Sequence, residues 1–298
     1  MSTLAFALVM GAALAHAGWN IIAHGISRAG MPFLWWGAVS STVVWVGVIP
    51  FTGGGGGGLG RADVGSFLLG VGVSAVLHVV YMFVLQRGYQ EGNLSTVYAT
   101  ARGTGPFLSV LIAVLLLGER PSMLALIGVA AVIAGVVAIG LVDRGRGGSS
   151  RRRLDPGLVF GVLTGIAIAI YTIWDPHAVR TWGLSPVAFM VGTTLLQVPF
   201  YSAAVGFGAG ASDRWAAVRM LGRTQWRRIL AFGVLSPLSY ILVLTAIQLA
   251  PVALVAPLRE VSVVLVSLFG VVVLRESRPG WRVAASLVVV GGIVLLAV

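Results

Sequence analysis

NLSTVYATARGTGPFLSVLIAVLLLGERPSMLALIGVAAVIAGVVAIG, residues 93–140, has a counterpart in APVALVAPLREVSVVLVSLFGVVVLRESRPGWRVAASLVVVGGIVLLA, residues 250–297. At that shift of 157 positions Arg102 falls on Arg259, Glu119 on Glu276, Leu117 on Leu274, Gly135 on Gly292 and Val137 on Val294. Coincidences among Leu, Val and Gly carry little weight in an apolar chain, whereas an arginine inside one long apolar run matched by an arginine inside another carries much. Each copy reads as a membrane-length helix, a tight charged turn (Gly118–Pro121 or Arg275–Pro279) and a second helix. A repeat of this length sets the architecture before any local reading, and in membrane proteins it points to carriers whose site lies where the repeats meet.

Composition supports the membrane reading. Hydrophobic residues make up 58% of the chain, charged residues 10%, and the mean hydropathy is +0.98. A soluble domain carries about 25% charge, so a water-exposed fold of this size could not cover itself. The net charge of +11 comes entirely from arginine. These arginines sit between apolar runs, so they read as determinants of membrane topology rather than as a nucleic-acid surface. Cysteine is absent, which excludes disulfides and thiolate metal sites. The start lacks a basic n-region and its apolar run outlasts a signal's core, so it is expected to stay as a helix.

Ten stretches approach the ~20 apolar residues of a membrane span: 3–23, 32–51, 64–85, 94–117, 122–142, 157–179, 186–207, 229–249, 252–274 and 281–298. The expected fold is all-α and polytopic, ten transmembrane helices in a five-plus-five inverted repeat. Residues 1–142 form the first five-helix repeat, 143–156 an Arg/Gly/Ser linker and 157–298 the second repeat. The glycine run 53–58 is a flexible connection, and 208–228, with five arginines and two tryptophans, reads as an interfacial helix. Loops after the odd-numbered segments hold 15 arginines and those after the even-numbered ones three, so the former are expected in the cytoplasm and both termini outside. The first segments of the halves align as well, Trp19-Asn20 on Trp174-Asp175 and His16 on Tyr171.

Ten spans, an inverted repeat, Trp-Asn near the end of the first span, and a Gly-Glu-Arg turn after the fourth echoed by Arg-Glu-Ser after the ninth together resemble the EamA-type members of the drug/metabolite transporter superfamily. The resemblance implies a secondary carrier, commonly an exporter of amino acids or other small metabolites, with a central cavity between the halves. It also implies structural turn roles for Glu119 and Glu276, and cavity-facing roles in the first, third, fourth, sixth, eighth and ninth spans. The basic termini common in the family are absent here, and the first span lacks the glutamate on which the small multidrug members depend.

Charge inside a span costs at least ~2.5–3.5 kcal/mol, so each such residue is a candidate for function. Arg102, Arg259 and Glu260 are the foremost. Glu260 is expected to pair with Arg102. Neighbouring helical residues diverge by ~100°, so Arg259 and Glu260 are not expected to meet, and Arg259 would hold a substrate carboxylate by its planar fork. The alternative is a closed network of all three that locks the halves together. His16 and Asn20 share a helical stripe with His24 and are expected to line the path, while His24 bonds a neighbouring helix at the interface. Tyr98, one turn before Arg102, joins Trp19, Trp174, His78, Tyr81 and Tyr240 as a further polar or aromatic candidate for substrate contact. Asp175 precedes Pro176, which is expected to break the helix there. It is either a proton carrier, beside Glu260 and His16, or an interfacial acid at the helix end. Trp35, Trp36, Trp45, Trp182, Trp226 and Trp281 read as interfacial belt residues, and Gly128, Gly135, Gly291 and Gly292 as packing contacts.

No catalytic, metal-binding or nucleotide-binding motif is present, and no cofactor is expected. The function expected is secondary active transport of a small polar metabolite, an amino acid or organic anion, by alternating access across the cytoplasmic membrane. Export is the expected direction, and a gradient, with protons the foremost candidate, the driving force. The alternatives are an intramembrane enzyme and a passive channel or scramblase. The partners expected are a small-molecule substrate and the lipid bilayer, for a monomer or homodimer that binds no nucleic acid.

Overall fold

A computed structural model describes residues 1–23, 25–52, 59–92, 94–141, 156–208, 210–273 and 279–297. His24, the glycine run 53–58, the linker 143–155 and the turn holding Arg275, Glu276 and Arg278 lie outside the described residues. Within them the chain is helical, in the order α1 (Thr3–Ala23), α2 (Met31–Val46), α3 (Val64–Glu91), α4 (Leu94–Leu115), α5 (Met123–Leu141), α6 (Pro156–Thr181), α7 (Pro186–Gly206), α8 (Ala211–Thr224), α9 (Trp226–Leu249), α10 (Val252–Leu258), α11 (Val261–Val272) and α12 (Pro279–Ala297). Among the described residues, seven stretches are long and apolar enough to cross a membrane: α1, α3, α4, α6, α7, α9 and the α10–α11 pair. Helices α2, α5 and α12 are apolar but shorter. Side chains such as Leu14, Val43, Leu68, Leu116, Met123 and Val272 stand exposed, an outward apolar surface that suits hydrocarbon better than water.

The helices gather into two compact units, each drawing on both sequence halves. The first comprises Met1–Ala13, Val80–Ile173 and Leu249–Val298, and the second Leu14–Val79 and Trp174–Gln248. In the first unit, small residues let backbones approach closely, the contact that holds helices together where lipid removes the hydrophobic drive. A Cβ on Gly292 would come within 2.7 Å of the Gly128 carbonyl oxygen, and one on Gly135 within 2.5 Å of Val289, so α5 and α12 pack backbone to backbone. Gly291, expected to share this role, has open space where its Cβ would stand. On α6, Gly161 and Gly165 lie one turn apart against Thr100 and Thr104 of α4, a glycine ridge the sequence reading did not single out.

Two corrections concern proline. The single expected helix 252–274 is instead α10 and α11, separated at Arg259–Glu260. Pro257 has no N–H to continue the ladder, and the chain turns through the tighter bonds Glu260 N–H to Pro257 O (2.9 Å), Ser262 N–H to Arg259 O (3.2 Å) and Val263 N–H to Glu260 O (2.9 Å). The break expected at Pro176 does not occur, and α6 runs on to Thr181. Beyond that proline, Ala178 and Val179 are buried with Val71, Leu184, Phe189 and Leu244, and this packing holds the helix across the missing bond.

The start of α10 is fixed from a distance. The Glu119 carboxylate, in the turn after α4, accepts the Val252 N–H at 2.9 Å and the Ala253 N–H at 2.8 Å. These are first-turn donors with no partner inside their own helix, and the helix dipole favours an anion there.

In the second unit α2 is fastened to α7, α8 and α9 by indole N–H groups. Trp35 donates to Ser202 Oγ (2.9 Å), Trp36 to Val218 O (2.8 Å) and Trp45 to Gly233 O (3.2 Å). These tryptophans, read from the sequence as belt residues, act as interhelical clamps. The segment 208–228 contains α8, whose Arg214 guanidinium donates from Nε to Val205 O (3.1 Å) and from an η nitrogen to Phe207 O (2.6 Å) at the end of α7.

Charge-assisted bonds of the Glu119 kind are worth about 1.5–3 kcal/mol. Glu119→Ala is therefore expected to destabilise the protein by about that amount, and Glu119→Gln, which keeps one acceptor, by less. Thermal melting of the purified variants in one detergent measures both.

Candidate functional site

One group of buried charges lies in the first unit. Arg102 projects from α4, and one of its η nitrogens donates to both carboxylate oxygens of Glu260 at 3.2 Å. Glu260 is 2% exposed and Arg102 13%. Arg259 also approaches that carboxylate, at 4.0 Å from Oε1. The sequence reading set Arg259 and Glu260 apart because neighbours on a straight helix diverge. Here they stand at the break between α10 and α11, and the long Arg259 side chain reaches back to its neighbour's carboxylate. Two cations thus share one anion in the interior, and the three formal charges sum to +1.

Tyrosines lie near these charges. The Arg102 guanidinium lies 5.3 Å from the Tyr98 ring centroid, a cation–π contact along α4. Tyr81 and Tyr171 stack edge to face at 5.5 Å. Tyr81, Tyr89, Tyr98 and Tyr171 all lie within electrostatic reach of Arg102, so four of the chain's six tyrosines gather here. Tyr89, near the end of α3, was not among the sequence candidates. Its spacing of eight from Tyr81 places both on nearly one helical face, the signal that would have found it. The glycine ridge of α6 lets Tyr171 stand close to α4. Ser262 and Ser267, one to two turns past the break, are buried with hydroxyl oxygens that have no hydrogen-bond partner.

The second unit holds a separate polar cluster. Asp175 is fully buried within α6, not an interfacial acid at its end. The Tyr240 hydroxyl donates to its Oδ2, and His78 Nε2 stands 3.8 Å from the same oxygen. His78 Nδ1 lies 2.9 Å from its own helix's Ser74 carbonyl, so that nitrogen carries a hydrogen. The His78 and Tyr240 rings meet edge to face at 5.6 Å. Asp175 Oδ1 is buried without a hydrogen-bond partner. His78, Tyr240 and Asp175, read from three separate segments, therefore converge.

Other candidates lie apart from these groups. Asn20 donates its amide to the His16 carbonyl at 2.7 Å, closing a bond within α1. The His16 ring packs at 4.8 Å on Trp19, and Trp19 at 5.3 Å on Phe232. Trp174 donates to the Gly70 carbonyl at 3.1 Å, which ties α6 to α3.

Removing one member of a buried ion pair costs about 3–5 kcal/mol, whereas replacing both with apolar residues is often neutral. Glu260→Gln is expected to lower thermal stability by about that amount, because two guanidinium groups remain. Arg102→Met with Glu260→Leu is expected to regain part of it. Melting curves of wild type, both single variants and the double variant read out the coupling.

Residues 155–298 match the EamA-like transporter family. No curated protein matches the chain. A solved structure described only as "Crystal structure of protein" superposes with a TM-score of 0.73 at 17% identity, covering 99% of this chain and 96% of its own. At that identity the likeness is one of fold. The family match covers the second half of the chain, and with the apolar helices it supports an integral membrane protein.

Proposed function

From the match of residues 155–298 to a family of membrane transporters, we propose that this protein is a secondary active carrier of a small carboxylate-bearing metabolite, an amino acid or organic anion. The observation that carries the reading is the buried +1 cluster of Arg102, Arg259 and Glu260 among tyrosines. A guanidinium matches a carboxylate with two parallel donors. The Glu260 carboxylate occupies that place in the absence of substrate, and an entering anion competes for it. Tyrosine hydroxyl groups and ring faces supply neutral contacts that fix orientation without further charge. Arg259, which stands farther from Glu260 than Arg102 does, is the arginine that engages substrate; Arg102 positions Glu260.

The seven long and three shorter apolar helices form ten spans of a five-plus-five inverted repeat, and its halves alternate access. The protein resides in the cytoplasmic membrane with both termini outside, as the arginine distribution indicates, and works in the direction of export. Drive comes from protons. With His78 Nδ1 against the Ser74 carbonyl, its Nε2 faces the Asp175 carboxylate at 3.8 Å, a base and an acid side by side among apolar helices. Asp175 and His78 thus take precedence over Glu260 and His16 as the coupling groups. Glu260 is engaged by Arg102 and Arg259, and the His16 ring packs on Trp19.

Counterflow of labelled amino and organic acids in proteoliposomes tests the reading. Arg259→Ala is expected to raise KM for the transported acid roughly 10- to 150-fold, the worth of one charge-assisted bond, with expression and melting preserved. Unchanged KM would end the binding role. Asp175→Asn is expected to abolish accumulation driven by a pH gradient while exchange at equal pH persists. Accumulation that survives this change would place coupling elsewhere.

A further inference from the structure

A second binding site lies outside these clusters, in the second unit, where α2, α8 and α9 leave an open apolar groove of about 230 Å³. Val39, Val43, Trp36, Gly222, Trp226 and Leu230 line it. Its floor is rigid. A Cβ on Gly222 would come within 2.5 Å of the Trp36 ring, whose N–H is held by the Val218 carbonyl, and one on Gly233 within 2.8 Å of the Ser40 Cβ. The one hydroxyl on the wall, Ser40, is turned back to the Gly37 carbonyl at 3.4 Å. The groove therefore offers contact only to an apolar body.

The rim of the groove has the opposite character. Residues 211–228 carry Arg214, Arg219, Arg223, Arg227 and Arg228 against one acid, Asp213, a net charge of +4. Arg214 is bound to the end of α7. Arg223 and Arg227 are exposed and directly follow Gly222 and Trp226, two of the groove's lining residues. The Arg227 guanidinium lies 5.3 Å from the Trp226 ring centroid, so one positive charge rests on the aromatic wall itself. An apolar slot with cations at its edge is complementary to one amphiphile: an acyl chain ending in an anionic headgroup. We propose that this groove binds a single anionic phospholipid, its chain between α2 and α9 and its phosphate on Arg223 and Arg227. The proposal does not depend on the transport reading, since its residues touch neither polar cluster.

Native mass spectrometry of the full chain, released from vesicles of equal parts phosphatidylglycerol and phosphatidylcholine, tests it. Two arginines beside a headgroup predict a roughly 10- to 30-fold preference for the anionic lipid. Arg223→Gln with Arg227→Gln is expected to bring that preference close to unity while lipid retention continues. Val43→Trp, which fills the slot from an exposed position, is expected to cut retention of both lipids without a change in melting. Equal retention of the two lipids by the wild type would overturn the proposal. So would displacement of the lipid by free glycerol phosphate, which would make this an anion site only, or a dimer that Val43→Trp dissociates, which would make the occupant a second copy.

Discussion

A guanidinium inside an apolar bundle must keep a carboxylate in reach, and Arg102 depends on Glu260 for this. The pairing in turn depends on backbone geometry. Glu260 stands where α10 gives way to α11 after Pro257, and Arg259 beside it reaches the same carboxylate. The break after Pro257 thus coincides with the place where two guanidinium groups meet one carboxylate. Glu119 secures the other end of that short helix by capping its first turn, so α10 is held at both ends by carboxylates.

The sequence disclosed the residues more readily than their surroundings. Arg102, Arg259, Glu260 and Asp175 stand out because charge is expensive in an apolar run, and that cost needs no coordinates to recognise. The course of the backbone was less legible. Pro257 and Pro176 look alike in sequence, yet one interrupts its helix and the other does not. What differs is the packing beyond each proline, and residues such as Leu184 and Phe189 that hold α6 straight come from the following segment. The ring of tyrosines was half visible. Tyr81 and Tyr98 were candidates, while Tyr89 lay too near a helix end to be separated from interfacial aromatics. The tryptophans of α2 show more than the sequence could, because an indole at a helix end can serve a membrane interface and an interhelical bond at once.

The two units carry different chemistry. The first holds fixed charge: arginines do not change protonation in proteins, so its cluster is suited to recognise an anion. The second brings a carboxyl, an imidazole and a phenol side by side. Each cluster draws on both sequence halves, Arg102 with Glu260 in one and His78 with Asp175 and Tyr240 in the other. Neither half of the chain contains a complete site.

That interleaving has a consequence for biosynthesis. Arg102 and Glu260 are 158 residues apart. At roughly 5–20 residues per second of translation, the nascent chain exposes its buried arginine for roughly 8–30 s before the matching acid leaves the ribosome. During that interval α4 either waits in the insertion machinery or keeps Arg102 near water at the bilayer surface, and its final depth is settled only after the last helices arrive.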